Sequence, residues 1–139
     1  EILVVIAIVA VVITSVVATS TRSIKNSLHA RYQAESTRRG EELAEWLRSE
    51  RDNSWTNFVG RASGGAGSNY CFSDNLSWAA SSCPGSPVSG TPFLRTVNLR
   101  LTTTVTANDT VEVVIAVTWT DGVGSHASRV NTRLTSWNN

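Results

Sequence analysis

From Ile2 to Ala18 the chain is apolar at every position except Thr14 and Ser15, and a single carboxylate, Glu1, heads the run. About 20 apolar residues at ~1.5 Å each cross the hydrocarbon core of a bilayer, so this segment sits at the lower limit of a spanning helix. Helices in soluble cores are rarely apolar on every face over this length, which favours insertion into a membrane or a filament core. Beyond the run the pattern turns amphipathic. Ile24, Leu28 and Tyr32 recur at four-residue steps, and Leu43, Trp46 and Leu47 resume the stripe. One long helix from Ile2 to about Arg51 is expected, weakest in the polar interval Glu35 to Glu41, which contains Gly40.

The stretch from Asn53 to Pro92 holds all three prolines and most of the glycine, serine and asparagine, so it reads as irregular connection with turns. Within it, the run Gly64 to Asn69 lacks the Lys-Ser/Thr pair and the leading strand of a phosphate-binding loop; a flexible surface loop is expected. Trp55, Phe58, Tyr70, Phe72 and Trp78 interrupt the polar stretch as packing anchors. From Phe93 onward the period becomes two. Val97, Leu99, Leu101, Thr103 and Val105 alternate with polar positions, as do Val111, Val113, Ile115, Val117 and Trp119, and then Val130, Thr132 and Leu134. Turns at Ala107-Asn108-Asp109 and Asp121-Gly122-Val123-Gly124 join these runs into a three-stranded antiparallel meander. Such a sheet needs one face covered, and the amphipathic half of the helix is the available cover. The expected fold is α+β, with an apolar helix over residues 1–21, its amphipathic continuation over 22–52, an irregular αβ-loop over 53–92 and the sheet over 93–139.

Glu1 followed by Ile2-Leu3-Val4-Val5-Ile6-Ala7-Ile8 resembles the mature N-terminus of type IV pilins and of type II secretion pseudopilins. In that family the glutamate is the fifth mature residue, after a methylated aromatic N-terminus. The resemblance therefore implies that four residues and a leader peptide precede Glu1. It also implies processing by a prepilin peptidase, an assembly platform, and a filament in which Glu1 meets the N-terminal amine of a neighbouring subunit. A secretory signal peptide is the competing reading, but no basic residue precedes the run and Ala18-Thr19-Ser20 is a poor cleavage match. The helix-breaking glycine and proline common in the family's apolar half are absent here. Val11-Val12-Ile13-Thr14-Ser15-Val16-Val17 stands in their place, and its β-branched side chains lower helix propensity only slightly. Val117 to Gly122 and Arg133 to Trp137 are similar to the last two strands of certain minor pilins and pseudopilins.

Composition narrows the function classes. Twelve basic against 11 acidic residues leave a formal charge of +1, which gives no electrostatic case for nucleic acid as principal partner. Cys71 and Cys83, the only cysteines, sit in a Gly/Ser/Asn-rich stretch and read as a disulfide formed in an oxidising compartment. They are too widely spaced for a redox CxxC pair, and no clustered histidines accompany them as zinc ligands. His29 and His126 fall in different segments, and Ser125 beside His126 lacks a nucleophile-elbow context, so no catalytic residue, metal or cofactor is expected. Asn75-Leu76-Ser77 and Asn108-Asp109-Thr110 fit the acceptor pattern for N-linked sugars, which is common by chance.

Charges along the second half of the helix are partly segregated. Arg22, Lys25, Arg31, Arg38 and Arg39 precede Glu41, Glu42, Glu45 and Glu50, with Glu35, Arg48 and Arg51 as exceptions. Either local pairs on a solvated helix face or contacts between axially staggered subunits account for the pattern. Two function classes follow. In the first, the chain is a structural subunit of a pilus or pseudopilus, a homopolymer with other pilins as further partners. It resides in the bacterial inner membrane before assembly and in an extracellular or periplasmic filament afterwards. In the second, it is a monomeric single-pass membrane protein exposing a small extracytoplasmic binding domain. Glu1 separates the two, because a carboxylate in an isolated bilayer helix must be neutralised, snorkel or remain costly, whereas a filament offers it a positive partner. Arg22 and Lys25 after the apolar run would place the globular part in the cytoplasm by the positive-inside rule. The cysteine pair and the family resemblance point to the opposite side.

Overall fold

The computed structural model describes residues 2–78, 88–103 and 109–136. Its elements are α1 (Ile2–Asn53), α2 (Trp55–Val59), β1 (Ser68–Phe72), β2 (Leu94–Thr103), β3 (Asp109–Asp121) and β4 (Gly124–Thr135). The fold is α+β, a long N-terminal helix and an antiparallel sheet of order β1-β2-β3-β4, an architecture consistent with that of pilins. The chain forms two compact units, Glu1–Ala34 and Glu35–Asn139.

The first unit is helix alone. The large apolar side chains from Ile2 to Val17 are all exposed. Four hydroxyls in and after this run are satisfied within the helix: Thr14 donates to the Ala10 carbonyl at 3.1 Å, Ser15 to Val11 at 2.8 Å, Thr19 to Ser15 at 2.9 Å and Thr21 to Val17 at 3.0 Å. A hydroxyl bonded back to its own helix presents little unsatisfied polarity to an apolar environment.

In the second unit the C-terminal part of α1 covers one face of the sheet, as the alternation requires. Leu43, Ala44 and Leu47 meet Val97 and Leu99 of β2, Val111, Val113 and Ile115 of β3, and Leu134 of β4 in one buried core. The register explains why these residues share a face. Val97 stands opposite Ile115, Leu99 opposite Val113, and Val111 opposite Leu134, so the inward positions of three strands coincide. Each fully buried Val, Leu or Ile contributes ~1.5–3 kcal/mol relative to exposure, and here they come in cross-strand pairs.

Gly40 takes a part that helix propensity does not suggest. The helix runs through it unbroken, and the glycine is buried against the sheet. A β-carbon there would lie 3.3 Å from Val130 Cγ2 and 3.7 Å from Val117 Cγ2. Absence of a side chain thus sets how closely α1 approaches β3 and β4.

The sheet has four strands, not the expected three, and the added strand lies within the segment expected to be irregular. β1 pairs antiparallel with β2, Tyr70 opposite Val97 and Phe72 opposite Arg95. Its polar residues and short length carry no clean two-residue period, Cys71 and Phe72 both being buried, so only pairing with β2 makes it a strand. The same segment contains α2, capped by the Ser54 hydroxyl, which accepts from the Asn57 backbone N–H at 3.3 Å. Nor is the glycine run ahead of β1 a free loop throughout. Gly67 has φ +79°, and a β-carbon there would fall 2.6 Å from Asn98 Oδ1. Asn98 donates from Nδ2 to the Ala66 carbonyl at 3.0 Å and to Asn69 Oδ1 at 2.9 Å, fixing the approach to the strand.

The β3–β4 turn falls where the Asp-Gly signal puts it, with Asp121 paired to Gly124. Asp121 Oδ1 accepts from the backbone N–H of Val123 at 2.8 Å and of Gly124 at 3.2 Å, the bonding of an Asx turn. Of the other expected turn, Ala107 and Asn108 lie outside the described residues, and Asp109 opens β3.

Candidate functional site

The most prominent surface of the molecule is apolar. From Ile2 to Val17 the helix presents Ile, Leu and Val on all sides, and none of its most apolar window is buried. By length and composition α1 is able to cross a membrane. Contiguous apolar exposure on this scale marks a contact with lipid or protein, since monomeric soluble proteins rarely display patches beyond a few hundred Å². Glu1, which heads this surface, lies outside the described residues.

The second unit carries a charged cluster on the sheet side of α1. Arg39 Nη2 lies 2.8 Å from Glu35 Oε1, one helical turn back, and Arg39 Nη1 lies 3.9 Å from Asp74 Oδ1. The Arg39 guanidinium also sits 5.4 Å from the centre of the Phe93 ring. Beside it, Arg95 is almost fully enclosed, at 1% exposure. Arg95 Nη1 donates to Glu42 Oε2 at 3.2 Å and Nη2 donates to the Ser73 carbonyl. Its Nε has no hydrogen-bond partner among the described residues. Burial pushes the Arg95 pKa below the ordinary arginine value, against the opposing pull of Glu42. Arg95 thus ties β2, α1 and the segment after β1 together. Sequence reasoning missed it, although one signal was present: in Phe93, Arg95, Val97, Leu99 the arginine occupies an inward phase of the strand, where a charge requires a partner on the covering helix.

Of the charges singled out from the sequence, Arg39 and Glu42 are engaged inside this cluster, and Glu45 pairs with Arg48 three residues on. Arg38 and Glu41 are exposed on the same stretch of helix with no ion pair among the described residues. Arg22 and Lys25, in the first unit, are likewise exposed and without an ion-pair partner among the described residues.

The aromatic anchors gather around Trp78. Its ring centroid lies 5.1 Å from Trp46, 5.2 Å from Tyr70, 5.6 Å from Phe72 and 6.3 Å from Phe58. Trp78 Nε1 donates to Glu50 Oε2 at 2.6 Å, and the Arg61 guanidinium lies 4.5 Å above the ring. Edge-to-face contacts and a satisfied indole N–H are the marks of a packing cluster, and it fastens the connection after β1 to α1. Trp55 stacks on Phe58 at 6.0 Å at the margin of this group. Cys71 is buried on β1 close by in sequence; Cys83 lies outside the described residues.

At the β3–β4 hairpin, His126 Nε2 lies 3.1 Å from Asp121 Oδ1, the oxygen that also holds the turn, and the imidazole stacks on Trp119 with centroids 5.4 Å apart. The neighbouring Ser125 hydroxyl lies 3.2 Å from that of Thr120. Histidine and serine thus have separate partners within the hairpin. Comparison with protein-family models, with curated proteins and with solved structures finds no match to this chain.

Proposed function

We propose that the chain is a structural subunit, a pilin or pseudopilin, that polymerises through α1 into a type IV pilus-like filament. The observation that carries this reading is the all-round exposure of the apolar segment beginning at Ile2. Burying it releases ~25 cal/mol for each Å² of apolar surface. Packing many copies together achieves that burial outside the membrane, while the bilayer holds the subunit beforehand. Glu1 at the head of the segment and the α+β architecture of the second unit add to this reading. The subunit resides in the bacterial inner membrane, is matured by a prepilin peptidase, and passes to an assembly platform and thence to an extracellular or periplasmic filament. Its partners are copies of itself and other pilins.

The test is a strain in which this chain is the sole subunit. Glu1→Ala is expected to remain in the membrane fraction but to yield few filaments by electron microscopy, because no other charged residue occurs between Glu1 and Arg22 to take the carboxylate's part. Normal filament yield from Glu1→Ala, or no filaments containing the native chain, refutes the polymer reading. In the latter case a monomeric membrane-anchored domain takes its place.

A further inference from the structure

Two surfaces remain without partners, and their chemistry is complementary. One lies on the second unit, where the exposed side of α1 and the edge strand β4 form a groove with Ala44 and Val130 at its base. Glu41, Glu42 and Glu45 line it, with Arg38 and Arg48 at its ends. Arg95 takes Glu42, and Arg48 takes Glu45 only through an exposed three-residue contact of little worth. Glu41 has no ion pair among the described residues.

The other surface lies on the first unit. No aspartate or glutamate occurs from Ile2 to Ala34, whereas Arg22, Lys25 and Arg31 do, and none of the three has an ion-pair partner among the described residues. Ile24 and Leu28 stand exposed among them, one helical turn apart, with Ser27 and Arg31 alongside. The segment is thus an apolar ridge flanked by cations, and the groove sets the part-exposed Val130 among three carboxylates and two guanidiniums, Glu41 being the carboxylate with no ion pair among the described residues.

We infer that the basic segment Arg22–Arg31 of one copy seats in the Glu41–Glu45 groove of a second copy, Ile24 and Leu28 on the part-exposed Val130, and Arg22, Lys25 and Arg31 against Glu41 and Glu45. The contact is intermolecular because of the spacing in sequence. Lys25 and Glu41 are 16 positions apart, far beyond the three- and four-residue spacings at which side chains pair along one helix. Apolar burial supplies non-directional attraction, and the ion pairs set an axial register, since a slip of one turn sets cations against apolar positions. This inference rests on the filament reading as to where the contact occurs. Its occupant, a second copy, follows from the complementarity alone.

The experiment uses the full chain in its native membrane and in filaments. Equal amounts of chain grown in ordinary and heavy-nitrogen media are mixed, treated with a zero-length carbodiimide, and digested for mass spectrometry. Mixed-isotope peptides joining Lys25 to Glu41 or Glu45 are expected. With Glu41→Lys and Glu45→Lys in one chain, assembly falls about tenfold or more. With Arg22→Glu, Lys25→Glu and Arg31→Glu added to that chain, assembly recovers and the amide link returns in reversed polarity. Circular dichroism of each variant in detergent separates lost docking from lost folding: the inference requires all variants to keep native helix and sheet. Filaments that lack the link and tolerate the reversal overturn the inference while leaving the filament reading standing. The link without filaments upholds the docking contact and overturns the filament reading.

Discussion

Arg95 holds a full charge among Phe93, Val97 and the helix, with Glu42 at the rim, and the two residues of the pair are unequal. Glu42 is half exposed and rehydrates if its partner is lost; Arg95 does not. Glu42→Ala is therefore expected to destabilise by about 1–2 kcal/mol, by leaving a buried cation with one carbonyl ligand. Arg95→Met removes the cation together with its desolvation cost and stays within about 1 kcal/mol of the native chain. Denaturant unfolding of the full chain in detergent checks both; a larger loss for Arg95→Met than for Glu42→Ala overturns the asymmetry. Gly40 acts through space instead of charge. Alanine there gains ~1 kcal/mol of helix propensity and presses on Val130, which, as a part-exposed edge-strand residue, has room to yield. Leucine does not fit, and Gly40→Leu is expected to cost about 1–3 kcal/mol in the same unfolding measurement.

At the scale of elements, β3 is the centre of the second unit, paired on both sides and in contact with α1 residues through its inward face. Its register is strict because a one-residue slip moves Val111, Val113, Ile115 and Val117 from core to solvent. Neighbouring positions thus respond oppositely to one substitution. Val113→Thr buries a hydroxyl opposite Thr132 beneath α1 and is expected to cost about 1–3 kcal/mol, whereas Val114→Thr on the outer face stays within about 0.5 kcal/mol. Equal effects in thermal or denaturant unfolding rule out the assigned register. The two-residue alternation of β2 and β3 and the Asp-Gly turn after them were legible from the residues, because a half-buried strand writes its orientation into successive positions. β1 and α2 were not. Each spans five residues, and each is held by contacts with distant partners, β2 for the strand and the Trp78 cluster for the helix.

For the whole molecule, the connection after β1 is fastened at several described places, among them Trp78 and Asp74 on α1 and Ser73 on Arg95. A further fastening is expected from a Cys71–Cys83 bond within one subunit, worth ~3 kcal/mol if unstrained. Peptide mapping under non-reducing conditions is expected to show these cysteines joined within one chain; free thiols or a link between two chains exclude the staple. The long helix, the apolar surface at its start, the α+β class and the inward residues of β2 and β3 follow from the order of residues alone, since each is a repeated local pattern whose period reports the element. Folding in three dimensions is what makes Gly40 a point of close approach, Arg95 and Glu42 partners, and a polar five-residue segment the fourth strand. Those features depend on residues tens of positions apart meeting in space, Glu42 with Arg95 and Gly40 with Val130, and no local period records which distant residue a side chain will meet.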